Sequence, residues 1–100
     1  MKYAEQMLRE DALIDKVIVV TGGGSGLGKS MTRYFLQLGA KVAITSRNIE
    51  KLELTATELS EETGGICFPI ACDVRKIDEV ESMHAQIIEK LGAVDVLVNN

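Results

Sequence analysis

The 100-residue sequence predicts an α/β fold in which a parallel sheet is covered by helices on both faces. Short apolar runs rich in β-branched residues alternate with longer segments of helical spacing, and the alternation continues to the last residue. The runs at residues 17–20 and 96–98 are uniformly apolar, as expected for strands covered on both faces. Right-handed crossovers then favour an open, doubly wound sheet with the strand order 3-2-1-4.

The first two strands flank a helix that opens at a glycine-rich turn. These strands are predicted at residues 17–21 and 41–45. The helix between them carries an apolar stripe spaced by four, four and three residues, formed by Leu27, Met31, Phe35 and Leu38. Gly39 is placed to end this helix, because glycine tolerates the left-handed conformation that is common at helix ends.

The second half of the sequence repeats this alternation. Asn48 can cap a second helix, which ends before Gly64 and has one apolar face, formed by Ile49, Leu52, Ala56 and Leu59. A third strand follows at residues 66–71, where Pro69 favours an edge position or a bulge. A third helix has an apolar face formed by Ile77, Val80, Met83, Ile87 and Leu91. A fourth strand is predicted at residues 94–98.

The end of the sequence bears on domain organisation. If the chain stopped at Asn100, the fourth strand would be an uncovered apolar edge, which natural proteins avoid because it invites aggregation. We therefore expect residues 1–100 to be the N-terminal part of a single domain whose remainder lies beyond them.

Composition excludes several classes of partner. The formal net charge is -4, and the basic residues are scattered, which argues against a nucleic-acid partner. The longest apolar runs are far shorter than the roughly twenty residues that cross a bilayer. Residues 1–10 are polar and mixed in charge and do not resemble a secretion signal, so a soluble, cytoplasmic protein is expected. Cys67 and Cys72 have no neighbouring histidine or second cysteine pair, which favours buried, reduced thiols over a zinc site.

The glycine-rich turn at residues 21–30 reads Thr-Gly-Gly-Gly-Ser-Gly-Leu-Gly-Lys-Ser and satisfies two different motifs. Its position between a strand and a helix suits anion binding, because backbone N–H groups and the helix dipole point at the ligand. The P-loop spacing is met by Gly23, Gly28, Lys29 and Ser30. A second pattern, unlike the usual dinucleotide spacing, is formed by Gly22, Gly26 and Gly28.

With Thr21 in front, this second pattern resembles the nucleotide-binding signature of the short-chain dehydrogenases and reductases. Further matches follow the second, third and fourth strands in that family's order: Arg47, Asp73 with Val74, and Asn99 with Asn100. The resemblance covers nearly the whole chain, and residues 12–73 are most similar to the 2,4-dienoyl-CoA reductase branch. It implies a Rossmann-type fold and an oxidoreductase.

The resemblance also implies how the turn binds its cofactor. Glycines let the chain turn sharply and let a pyrophosphate approach the backbone. N–H groups and a hydroxyl would face the ribose phosphates. The implied binding residues of the turn are Gly22, Gly23, Gly24, Ser25, Gly26, Leu27 and Gly28. The alternative is a glycine-rich turn that binds no ligand.

The end of the second strand predicts the cofactor NADP(H). Family members that prefer NAD carry Asp or Glu there, but this chain has Ser46 followed by Arg47. The guanidinium of an arginine can bind a 2'-phosphate with two hydrogen bonds. By resemblance, Asp73 and Val74 form the adenine pocket, although Asp73 could instead cap the third helix. Asn99 would steady the central strand and line the cleft; the alternative is a plain turn residue.

Residues 1–100 hold no match to the family's catalytic pair, a tyrosine followed four residues later by lysine. Met7 follows Tyr3 at that spacing and Leu38 follows Tyr34, and His84 is expected on the surface. Catalytic residues are therefore expected beyond residue 100. The sequence predicts an NADP(H)-dependent short-chain reductase, which by resemblance would act on a 2,4-dienoyl-CoA or a related acyl-CoA as a homotetramer. A non-catalytic dinucleotide-binding protein and a P-loop NTPase are the alternatives.

Overall fold

Strands and helices alternate through residues 13–100, the part of the chain that the computed structural model describes. The elements in chain order are β1 (Val17–Thr21), α1 (Gly26–Gln37), β2 (Lys41–Ser46), α2 (Ile49–Thr63), β3 (Cys67–Ala71), α3 (Ile77–Leu91) and β4 (Val96–Asn99). All strand pairs are parallel and the sheet order is β3-β2-β1-β4, so the predicted α/β fold and strand order are confirmed. The sequence analysis also drew on residues 1–10, including Tyr3, and these lie outside the described residues.

Two apolar cores cover the two faces of the sheet, because successive strand side chains point to opposite faces. The core under α1 and α2 includes Ile18, Val20, Leu36, Val42, Ile44, Leu52 and Leu59. The core under α3 includes Val17, Val19, Ala43, Met83, Ile87 and Leu91. Both faces of β1 are therefore buried, which accounts for its uniformly apolar sequence.

The predicted face of α1 is partly wrong. Leu27 begins the predicted stripe but is 67% exposed, and the buried residues of the helix are Gly28, Thr32 and Leu36. The first turn of α1 lies so close to the carbonyl of Gly22 that the position facing the sheet has no room for a side chain. Apolar spacing alone therefore places the face about one residue out of register at this end.

The ends of the other helices follow local chemistry more closely. The Oδ1 of Asn48 accepts a hydrogen bond from the backbone N–H of Lys51 at 3.2 Å, so the predicted cap of α2 is confirmed. Gly64, with φ of 74°, ends that helix. Ile77, predicted on the buried face of α3, is 68% exposed, and the contact of this helix with the core begins at Val80.

The edges of the sheet also agree with the sequence. β3 pairs only with β2, so the edge position expected from Pro69 is confirmed. β4 pairs only with β1 and begins at Val96, two residues later than predicted. Just before it, the Asp95 Oδ2 accepts a hydrogen bond from the Val17 N–H at 2.8 Å. Among residues 13–100, no helix combines the length and apolar character needed to cross a bilayer.

Candidate functional site

A cleft of about 300 Å³ opens at the carboxyl ends of the strands. β1 lies between β2 and β4, so the chain winds in opposite directions on its two sides, and α/β sheets bind ligands at such a reversal. Six of the twelve predicted binding residues line the cleft: Gly22, Ser46, Arg47, Asp73, Val74 and Asn99. The other six continue the glycine-rich turn into α1.

Hydrogen bonds tie the end of β1 to the end of β4. The Thr21 Oγ1 donates to the Asn99 Oδ1 at 3.0 Å and accepts from the Asn100 N–H at 3.0 Å. The Asn100 Nδ2 donates to the Gly22 carbonyl at 3.4 Å. These hydrogen bonds join Asn99 and Asn100 to the end of β1. Thr21 and Asn100 line the cleft too, but the predicted set of binding residues left both out.

Gly28 marks the closest approach between the turn and the sheet. A Cβ at this position would lie 2.8 Å from the Asn100 Nδ2 and 2.9 Å from the Gly22 carbonyl carbon. Real Cβ atoms do not come this close to other heavy atoms, so only glycine fits without a shift of the backbone. Gly26 has φ of 58°, a left-handed conformation that favours glycine.

Helix α2 supports the other side of the turn. The Thr55 Oγ1 donates a hydrogen bond to the Gly24 carbonyl at 3.0 Å, and the Leu52 side chain lies against Gly24. Thr55 is buried and the hydrogen bond is partly buried. The turn is thus held by a strand end on one side and by a helix on the other.

The N-terminus of α1 suits an anion. Ser25 is the N-cap residue but its side chain makes no capping hydrogen bond, and the first turn has no acidic residue. The first N–H groups of a helix have no intrahelical acceptor, and they carry the positive end of the helix dipole. The amides of Gly26, Leu27 and Gly28 can therefore bind a phosphate.

Lys29 does not take the position that a P-loop lysine needs. Its Nζ pairs with the Glu58 carboxylate of α2 at 3.0 Å, which directs it toward the neighbouring helix. Lys29 is therefore a surface residue of α1 whose charge is paired with a residue of α2. The contact joins residues 29 positions apart, so local sequence could not indicate it.

A short turn follows β2 and carries one charged side chain of the cleft. The Ser46 Oγ accepts a hydrogen bond from the Asn48 N–H at 3.2 Å, which shapes the turn around Arg47. Arg47 is exposed and lines the cleft. No carboxylate stands at this strand end, where an Asp or Glu would repel a 2'-phosphate.

Asp73, after β3, is bound by Arg75. The Asp73 Oδ1 accepts from the Arg75 backbone N–H and Nε, both at 3.0 Å, and the Oδ2 accepts from Nη2 at 2.9 Å. These hydrogen bonds lower the pKa of Asp73, and the nearby charge of Arg47 contributes to the same direction. Since the N-cap of α3 is Lys76, the alternative role of Asp73 as that cap is wrong.

Arg75 also lines the cleft, and the sequence reasoning missed it. The sequence held a local signal only for the backbone contact, because an aspartate commonly accepts a hydrogen bond from the backbone N–H two residues later. The same turn is braced from α3, where the Glu79 Oε1 accepts from the Asp73 N–H at 3.0 Å.

Two buried side chains form part of the cleft floor. Cys72 and Thr45 both line the cleft, and burial raises the pKa of the Cys72 thiol. Cys67, on β3, is also free and buried, and burial raises the pKa of its thiol to about 12. The prediction of two buried, reduced thiols is confirmed. Within residues 13–100, no three His, Cys, Asp or Glu side chains are grouped so as to hold a metal ion.

The strand order, the glycine-rich turn and the cleft at the reversal of the sheet define a Rossmann-type α/β protein. Residues 16–100 match the family model described as short chain dehydrogenase. The chain therefore belongs to the short-chain dehydrogenase family, whose members bind NAD or NADP.

His84 is exposed, as expected for a surface residue of α3.

Similar proteins fall in this family. The chain is 47% identical over 95 residues to probable 2,4-dienoyl-CoA reductase 3 of Caenorhabditis elegans, covering 94% of this chain and 31% of the relative. A citronellol catabolism dehydrogenase from Pseudomonas aeruginosa superposes with a TM-score of 0.88 at 39% identity, over 95% of this chain and 39% of that one. L-sorbose reductase from Gluconobacter frateurii, solved with NADPH and L-sorbose, superposes with a TM-score of 0.85 at 29% identity, over 92% of this chain and 35% of that one. The chain spans about a third of the length of the curated relatives it matches.

Proposed function

We propose that this chain is the cofactor-binding part of an NADP(H)-dependent reductase that acts on a 2,4-dienoyl-CoA or a related enoyl-CoA. The observation that carries the cofactor preference is the end of β2, where Ser46 and Arg47 line the cleft. A carboxylate there would bind the ribose hydroxyls of NAD and repel a 2'-phosphate. A guanidinium can instead bind that phosphate with charge-assisted hydrogen bonds.

The rest of the cleft fits a dinucleotide. The uncapped amides at the start of α1 would hold the pyrophosphate, and Gly28, which has no side chain, lets this end of the helix lie close to Gly22 and Asn100. Asp73 and Val74 would hold the adenine. Bound NADPH would supply the hydride for reduction, while these residues bind and orient it.

The proposed substrate class rests on similarity. The relative from C. elegans is named a probable 2,4-dienoyl-CoA reductase, and the match covers 94% of this chain. The solved L-sorbose reductase contains NADPH, which supports the choice of cofactor. A conjugated acyl-CoA accepts a hydride more readily than an isolated double bond does, so the reaction suits a nicotinamide cofactor.

The cofactor preference is tested by titrating the full-length protein with NADPH and NADH in a calorimeter. NADPH should bind at least about tenfold more tightly, because charge-assisted bonds to a phosphate contribute about 1.5 to 3 kcal/mol. Arg47→Ala should weaken NADPH binding about ten- to hundredfold and leave NADH binding nearly unchanged. The matched control is Lys51→Ala, which removes an exposed cation of α2 outside the cleft. Tighter binding of NADH by the unmodified protein would contradict the proposal.

The reaction is tested by following NADPH oxidation with a 2,4-dienoyl-CoA, using the saturated acyl-CoA of equal length as the control. Oxidation should require the conjugated substrate. Tight NADPH binding without oxidation by any enoyl-CoA would favour the non-catalytic dinucleotide-binding protein instead.

A further inference from the structure

The side chains that line the cleft carry more positive than negative charge. The charged groups comprise one carboxylate, Asp73, and two guanidinium groups, Arg47 and Arg75. Arg47 and Asp73 alone would cancel, so the net positive charge of the lining depends on Arg75. The glycine-rich turn contributes no charged side chain to this lining.

We propose that Arg75 is a specificity-determining residue: it neutralises Asp73 and so lets the cleft accept the 2'-phosphate of NADPH. This inference rests on the proposed NADP(H) function and names a second residue that sets the preference. Arg47 would contact the phosphate, whereas Arg75 would act through Asp73 by removing a repulsion.

The geometry of the pair supports this role. Asp73 is only 11% exposed at its side chain, whereas Arg75 is 72% exposed, so the guanidinium covers the outer side of the carboxylate. Two of its nitrogens bind the two carboxylate oxygens, and the backbone N–H of Arg75 adds a third hydrogen bond. A paired arrangement of this kind fixes the orientation of the carboxylate as well as its charge.

Arg75 does not have to leave when a nucleotide binds. Oδ1 accepts two hydrogen bonds from Arg75, but Oδ2 accepts only one. A carboxylate oxygen has two lone pairs, so Oδ2 can still accept from an adenine amino group. The same Asp73 can therefore serve the adenine while its charge stays balanced.

Arg75→Gln tests the inference, since glutamine keeps a hydrogen-bond donor and loses the charge. In the full-length protein, the dissociation constant for NADPH should rise about tenfold and that for NADH by less than about twofold, because only the phosphate senses the unbalanced carboxylate. Arg75→Lys should keep most of the preference. Asp73→Asn combined with Arg75→Gln should recover part of it, since the repelling charge is gone.

A structural role for Arg75 predicts a different result. If Arg75 only braced the turn, Arg75→Gln would weaken both cofactors equally and the double variant would not recover. The matched control is Lys76→Gln, which removes the adjacent exposed cation that pairs with Glu79 and does not line the cleft. This control should leave the ratio of the two affinities unchanged.

The outcomes separate the two proposals. If the unmodified protein prefers NADPH but Arg75→Gln leaves the ratio of the NADPH and NADH affinities unchanged, only the proposed role of Arg75 is overturned. The same holds if Lys76→Gln shifts this ratio as much as Arg75→Gln does. An unmodified protein that does not prefer NADPH overturns both proposals.

Discussion

The two sides of the cleft are built differently. On the side of the glycine-rich turn, the proposed binding groups are backbone amides, and their position depends on the missing side chain at Gly28. On the side of β2 and β3, the proposed binding groups are charged side chains, Arg47 and Asp73 with its partner Arg75. The backbone side should therefore tolerate almost no substitution, whereas the charged side should respond with graded changes in cofactor preference.

The largest effect is expected for Gly28→Ala. The new Cβ would overlap the Gly22 backbone and the Asn100 amide, so the turn must move away from the sheet. We expect a loss of about 3 kcal/mol in the free energy of unfolding, at the upper end for overpacking, and at least a hundredfold loss in NADPH affinity. Denaturant unfolding and calorimetry measure the two effects. Ser30→Ala, an exposed change on the same helix, should alter neither by much.

Thr21→Val tests the link between β1 and β4. Valine keeps the shape and the strand preference but removes the hydroxyl that bonds to Asn99 and Asn100. We expect a loss of about 1–2 kcal/mol in the free energy of unfolding, because two partners lose a hydrogen bond. Thr57→Val, exposed on α2, is the control. Equal stability of the two variants would show that the link contributes nothing.

The charged side should show itself in the dependence of stability on pH. Asp73 has a lowered pKa in the folded protein, so it stabilises the fold above its unfolded pKa of about 3.9, and this contribution is lost as the pH falls through the folded value. The difference in unfolding free energy between the unmodified protein and Asp73→Asn should therefore shrink as the pH is lowered from about 5. Arg75→Gln should weaken this dependence. A difference that stays constant with pH would contradict the assigned pairing.

The smallest effect is expected for Lys29→Ala. Its pair with Glu58 is at the surface, so the free energy of unfolding should fall by less than about 1 kcal/mol. NADPH affinity should stay within about twofold, because the lysine is directed toward α2. Glu58→Ala should behave in the same way. Abolished nucleotide binding in Lys29→Ala alone would instead support the P-loop interpretation.

Much of the fold could be predicted because its signals are local. Uniformly apolar runs located the strands, Asn48 and Gly64 marked the ends of α2, and Pro69 placed β3 at an edge. The face of α1 could not be found in this way. Apolar spacing selected Leu27, but the contact that decides the packing is between two glycines, which have no hydropathy signal.

The candidate site was predicted unevenly for the same reason. Arg47, Asp73 and Asn99 follow strand ends, and the carboxyl ends of parallel strands meet at one edge, so their places in the cleft could be foreseen. Arg75 was missed because its importance comes from the carboxylate it covers rather than from its place in a motif. Thr21 was recognised as part of the motif, but its hydrogen bonds could not be predicted because its partners are 78 and 79 residues away.

By itself, the sequence determined the alternation of strands and helices, the order of the sheet and the glycine-rich turn, since hydropathy and backbone preference act over a few neighbouring residues. Only the tertiary structure decided which charges are paired. It directs Lys29 to Glu58 and holds Asp73 under Arg75, and both results depend on where folded elements bring side chains together. The balance of charge in the cleft, on which the proposed role of Arg75 depends, was therefore decided by the tertiary structure.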